Sequence, residues 1–307
     1  MQPGSDEPNK GAWAEGIGEG LKNPRDTMTG GSPSQQVVII RPSQGRAPLR
    51  LRELWVYREL LYFLVWRDIK VRYKGAVLGL GWAVLQPLLM TLVFTFLIGI
   101  VGIPSNGIPP AILVFSALLP WNLFAKGLTE GSQSLVANEQ LVTKVYFPRL
   151  LLPIAPIATG LVDFAIGFAV LLALMAYFGI IPAIAIVAVP AFAAIAIICA
   201  VGIALWLSAI DILYRDVRHV VPFIAGLWFF ATPIFYPLSL VPDSLRWLYS
   251  LNPMVIVVEG FRWALFGAAW RFDFSVGISL AVVTAMFVGG LFYFRRTERV
   301  FADWGRP

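Results

Sequence analysis

Five charges fall within eight residues at Arg67, Asp68, Lys70, Arg72 and Lys74, directly before the glycine-punctuated apolar run "GAVLGLGWAVLQPLLM". Clustered cations at such a boundary can gather phosphate oxygens, because ammonium and guanidinium groups make short charge-assisted bonds to them. A simple juxtamembrane anchor explains the same charge. Asp163 sits about ten residues inside another apolar run, and a carboxylate at that depth faces either the interior of a helix bundle or a watery path. It is read either as a polar contact on a translocation path or as a bond that locks neighbouring helices. Glu259 and Arg262 are three apart, so a helix would pair them on one face. Their readings are a gate at an outer mouth or an ordinary capped loop.

Other chemistries are missing their residues. There is no G-x-x-x-x-G-K-[S/T] loop to cradle nucleotide phosphates, no H-E-x-x-H pair and no G-x-S-x-G elbow. His219 is the only histidine and Cys199 the only cysteine, so neither a histidine network nor a disulfide or metal framework can form within the chain. A membrane-embedded glycosyltransferase or lipid phosphatase would need clustered carboxylates or a basic phosphate site at one membrane face. The outer loop offers only the widely spaced Asp243, Glu259 and Asp273. Aromatics are abundant: Trp121, Phe124, Trp228, Phe229, Phe230, Phe235, Tyr236, Trp247, Tyr249 and Trp263 crowd the apolar runs and one loop. Most fit a membrane-interface belt or packing, and some could stack on the C–H faces of sugar rings.

The elements that must position these residues are membrane helices. The chain has 307 residues, 58% hydrophobic and 14% charged, with a mean hydropathy of +0.74, more apolar surface than a soluble core could bury. Runs near the roughly 20 residues that cross a bilayer lie at about 82–101, 110–126, 153–178, 183–208, 220–241 and 274–294. These predict an all-α integral membrane protein of six transmembrane helices. With both termini cytoplasmic, only Arg246, Arg262 and Arg271 of the 24 Lys and Arg fall on the outer side. That bias accounts for the net charge of +6 without a nucleic-acid partner. Pro222, Pro233 and Pro237 predict a kinked fifth span beside a gate. The 242–273 stretch reads as short helices re-entering from the outer face between spans five and six.

Residues 1–48, rich in Gly, Pro, Ser and Gln with balanced charges, read as a disordered cytoplasmic tail. They hold no apolar segment of signal-peptide type, so the first span is expected to act as the insertion signal. Residues 49–80 divide into two parts. "LRELWVYRELLYFLVW" places Leu51, Leu54, Trp55, Leu61, Tyr62 and Val65 on one stripe, predicting an amphipathic interfacial helix. A basic elbow follows, where Gly75, Gly79 and Gly81 permit a close turn. The six-helix domain then occupies 81–295, and 296–307 is a cytoplasmic C-terminal tail.

Six stretches carry a family likeness: "RDIKVRYKGAVLGLGWAVLQPL" (67–88), "LLPWNLF" (118–124), "LVTKVYFPRLLLP" (141–153), "YRDVRHVVPF" (214–223), "TPIFYP" (232–237) and "LNPMVIVVEGFRWALFG" (251–267). In order and spanning most of 49–295, they resemble the membrane subunit of ABC-2 type polysaccharide exporters, which carry O-antigen, capsule, teichoic acid or galactan. The long N-terminal tail departs from the pattern. The resemblance implies a homodimeric channel in the bacterial plasma membrane, not itself an enzyme, without a cofactor of its own. Two copies of a separate ATPase subunit would bind ATP and Mg beneath it and drive a lipid-linked polysaccharide outward. It further implies that the interfacial helix and two cytoplasmic loops, 130–149 and 211–219, rest on that ATPase, with Asn138, Glu139, Lys144, Asp211, Arg215 and Asp216 as docking residues. Arg67, Lys70, Arg72, Lys74, Asp163, Trp121, Phe124, Trp228, Phe229 and Phe230 are candidates for the substrate's entrance and path. Glu259, Arg262, Trp247 and Tyr249 are candidates for an outer gate. The same family fold could instead serve a drug or small lipid.

Overall fold

The computed structural model describes residues 55–74, 79, 81–105, 107–268 and 274–301. The expected tail at 1–48, Leu51, Leu54, Gly75 and residues 302–307 lie outside them. Every regular element among the described residues is helical. Five helices are long and apolar enough to cross a membrane. The chain begins with α1 (Arg58–Tyr73), followed by the first long helix, α2 (Gly81–Val101). The second long helix, α3 (Pro110–Ala137), leads into the short α4 (Glu139–Lys144). Next come α5 (Leu151–Tyr177) and α6 (Val189–Leu213), the latter preceded by a single 3₁₀ turn at Ile184–Ala188. Three shorter helices follow, α7 (Val217–Phe230), α8 (Asp243–Ser250) and α9 (Pro253–Phe266), before the last long helix, α10 (Phe274–Phe301).

The axis of the bundle is α3. Its most apolar 18-residue window is 78% buried, against 17 to 33% for the other four long helices, and it packs on both α5 and α6. The sequence suggested a short span ending near residue 126, but the helix continues to Ala137. Polar residues beyond 126 do not break it because their hydroxyls bond back within the helix. Thr129 Oγ1 donates to the Ala125 carbonyl at 2.8 Å, Ser132 to Thr129 at 2.8 Å and Ser134 to Gly131 at 2.8 Å. Small residues set the closest helix crossing. A Cβ at Gly290 of α10 would run into the Gly202 carbonyl of α6, and one at Gly202 would come within 2.8 Å of the Phe287 backbone.

Two expectations change. The run at 220–241 is not one helix: α7 has 14 residues, a rise of about 21 Å against the roughly 30 Å of a hydrocarbon core. Pro222 is within it, while Pro233 and Pro237 lie in an irregular segment after it. The interfacial helix was expected to end at Trp66 with the basic residues forming the bend. Instead α1 runs on through Tyr73, and the turn comes later, with Gly79 at φ 49°. Its packed face overlaps the expected stripe at Leu61 but is centred on Leu64. Leu64 is buried among Leu135, Phe147, Leu151 and Phe294, with Tyr57, Leu60 and Leu61 beside it. Trp55 and Tyr62, assigned to that stripe by periodicity, are exposed together with Phe63 and Trp66. The helix therefore carries two apolar faces, one against protein and one, ringed by Arg58, Arg67 and Lys70, suited to a membrane interface.

Candidate functional site

Three elements converge where α1 ends. From α3 come Lys126 and Glu130, four residues apart and so on one face. From α5 comes Asp163, flanked by Gly160 and Gly167. Those glycines let α3 and α5 close up: a Cβ at Gly160 would press on the Lys126 stem at 3.2 Å, and one at Gly167 on Leu119 at 2.5 Å. The ammonium of Lys126 thereby reaches Asp163 Oδ2 at 2.5 Å. Arg72 then spans both carboxylates, donating through Nη1 to Asp163 at 2.9 Å and through Nη2 to both oxygens of Glu130 at 2.8 Å. The fork geometry of guanidinium allows this double bond, where a lysine would be a single point charge. The Lys126 side chain is 9% exposed, Asp163 24% and Arg72 32%.

The network forms one wall of a cavity of about 280 Å³, whose remaining walls include Trp82, Ala83, Gln86 and Pro87 of α2, Asn122 of α3 and Phe164 of α5. Pro87 has no N–H, so the Ala83 carbonyl one turn earlier loses its helical donor. Asp163 is thus one member of a four-charge network that ties the end of α1 to two long helices. Lys126, at the very end of the run expected at 110–126, is well inside the longer α3 and buried. Gln86 and Asn122 were not singled out, although an amide in an apolar run was a legible signal.

The remaining entrance cations behave differently. Arg67 is occupied by its neighbour Asp68 at 2.9 Å, Lys70 lies over the Trp66 ring at 5.1 Å, and Lys74 follows the last turn. Trp121, Phe124, Trp228, Phe229 and Phe230 are brought together. Phe124 meets Trp228 at 5.1 Å, Trp121 meets Phe229 at 5.6 Å and Phe229 meets Phe230 at 5.3 Å, with Phe94 and Phe235 completing the cluster. Trp121 and Phe124 are fully packed, whereas Phe230 is 60% exposed.

At the other end of the bundle the Glu259–Arg262 pair forms at 2.7 Å. Arg262 also donates to the Ile234 carbonyl at 3.0 Å and the Tyr236 carbonyl at 3.2 Å. Asn252, which caps α9 by accepting from Met254 N, also accepts from Trp228 Nε1 at 2.9 Å and donates to Thr232. These two side chains hold the irregular segment after α7 in place, with Thr232, Pro233 and Ile234 buried. The Tyr236 and Tyr249 hydroxyls lie 3.0 Å apart. Trp247 is 63% exposed and stands apart from this arrangement.

Of the docking residues, Glu139 and Lys144 on α4 and Arg215 and Asp216 in the turn after α6 are exposed, and Asn138 is half-buried. Asp211 is not on a loop. It is inside α6, buried, with Arg218 Nε 3.4 Å from one carboxylate oxygen. Among the described residues no three His, Cys, Asp or Glu side chains gather as a metal site would require.

The model of the ABC-2 type transporter family matches residues 59–266, more than half of the chain. The chain belongs to the ABC-2 type transporter family. It is 35% identical over 256 residues to a Myxococcus xanthus protein named O-antigen export system permease protein RfbA, covering 81% of this chain and 96% of that one. A Klebsiella pneumoniae protein of the same name is 26% identical over 251 residues, covering 80% and 94%. The Escherichia coli polysialic acid transport protein KpsM is 26% identical over 246 residues, covering 76% and 91%.

Proposed function

We propose that this chain is the permease subunit of an ATP-driven exporter that moves a lipid-linked polysaccharide outward across a bacterial plasma membrane. The observation that carries the reading is likeness over nearly the whole length of relatives named for O-antigen export. Two copies of the chain form the channel and two copies of a separate ATPase subunit drive it. In this account α7 and the irregular segment after it together serve as the fifth of six spans, with the backbone of that segment tolerated at membrane depth because protein surrounds it. Helices α8 and α9 then re-enter from the outer face, and both termini are cytoplasmic, in keeping with the distribution of Lys and Arg.

In this reading coupling runs from the cytoplasmic loops through α1. The α4 residues Glu139 and Lys144 and the turn residues Arg215 and Asp216 present charge to an ATPase. Motion there reaches α1, whose end Arg72 ties to α3 and α5. At the opposite end Arg262 and Asn252 hold the segment that would have to move for an outer gate to open. The substrate's phosphates are received by Lys70 and Lys74, since Arg72 is committed to two carboxylates.

The test is hydrolysis by the chain purified with its ATPase in lipid nanodiscs. Undecaprenyl-pyrophosphate-linked oligosaccharide is expected to raise turnover. A response only to drugs or simple lipids would favour the small-molecule alternative, and failure to assemble with any ATPase would contradict the reading.

A further inference from the structure

We propose that the cavity beside the Arg72 network is a subsite for one neutral sugar unit, an inference that deepens the glycan-exporter reading and rests on it. The side-chain amides of Gln86 and Asn122 line this cavity from two long apolar helices, are exposed to it, and make no hydrogen bond to a described residue. An amide at membrane depth is costly without a partner, so what fills the cavity must offer both donors and acceptors. Ala83, whose carbonyl Pro87 cannot bond, lines the same wall.

The charges decide the class of ligand. The wall holds two cations and two carboxylates already bonded to one another. An anion would have to displace Asp163 from Lys126 or Glu130 from Arg72, and a cation would have to do the reverse. Each exchange leaves a charge without its counter-ion in a partly dry site. A neutral polyol donates to the Glu130 carboxylate and accepts from the amides without breaking a pair. The indole of Trp82, 48% exposed at the rim, supplies a flat apolar face for the C–H side of a pyranose ring. Phosphate recognition is thereby assigned away from this cavity, and sugar recognition to it.

The test uses the complex with its ATPase in nanodiscs, with Trp82→p-benzoylphenylalanine as a photo-crosslinker. The probe is undecaprenyl pyrophosphate carrying a neutral hexose pentasaccharide labelled with tritium in the sugar. Two comparison lipids carry a uronic-acid oligosaccharide, and no sugar with the label in the lipid. The neutral probe is expected to label position 82, to be competed by the free pentasaccharide, and to lose about tenfold in yield in a Gln86→Leu/Asn122→Leu background, as two lost hydrogen bonds would give. Gln86→Ala alone, at an exposed position, replaces that background if the double variant does not assemble. Equal labelling by the sugar-free or acidic lipid overturns the assignment, and so does undiminished labelling in the amide variants. ATP hydrolysis read on the unsubstituted complex separates the two claims. Stimulation without an adduct overturns the subsite and spares the exporter. An adduct without stimulation supports the subsite against the exporter. Neither signal overturns both.

Discussion

At the scale of single residues, Asp163 is the keystone of the buried charge. It is the carboxylate bonded by Lys126, whose side chain is only 9% exposed, and it shares Arg72 with Glu130. Asp163→Asn leaves Lys126 without a counter-ion and should cost about 3 kcal/mol, in the range for breaking a buried pair. Removing both groups, Lys126→Met with Asp163→Leu, should recover most of that, because Arg72 keeps Glu130. Denaturant unfolding in mixed micelles measures both. A loss of only a few tenths of a kcal/mol in the single variant, as for an exposed pair, would show the network to be superficial. None of this pairing was legible in the sequence. Asp163 could be seen to need a partner, but Lys126 stands 37 residues away and Arg72 91 residues away, and periodicity within one helix says nothing of which helix lies opposite. The Glu259–Arg262 pair, local to one helix, was legible for the same reason.

At the scale of elements, hydropathy located the five long helices and placed the ends of α2 and α5 closely, but it stopped α3, α6 and α10 short. It stopped α3 near residue 126 because polarity rises there, whereas hydroxyls that bond back to the helix allow it to continue through seven further polar or small positions to Ala137. It joined α7 to the irregular segment because both are apolar. What separates them is Pro233 and Pro237 together with carbonyls taken by side chains from α9, which only the tertiary structure brings near. Arg262 should therefore govern the order of that segment. Arg262→Met is expected to speed amide exchange at residues 231–236 by about tenfold or more, since it removes bonds from a charged donor. Arg262→Lys should fall between, keeping the pair to Glu259 while losing the fork. Exchange followed by mass spectrometry in nanodiscs decides it, and unchanged rates in Arg262→Met would mean that Asn252 holds the segment alone.

At the scale of the molecule, one end of the bundle presents a basic helix with an aromatic outer face, exposed charged residues on α4 and on the turn after α6, and a polar cavity. The other presents a closed arrangement of short helices pinned by two side chains. An ATP-driven exporter needs this asymmetry, with an entrance that can be worked from below and an exit that opens only when pulled. What such an exporter must do is move a glycan lipid. The direct measurement reconstitutes the chain with its ATPase in proteoliposomes, loads undecaprenyl-pyrophosphate-linked oligosaccharide, and follows with a membrane-impermeant glycosidase how much sugar crosses to the face opposite the ATPase. The expected result is ATP-dependent crossing that is lost when this chain is omitted. Crossing at the same rate without ATP or without the chain, or none at all from an assembled and hydrolysing complex, would contradict it.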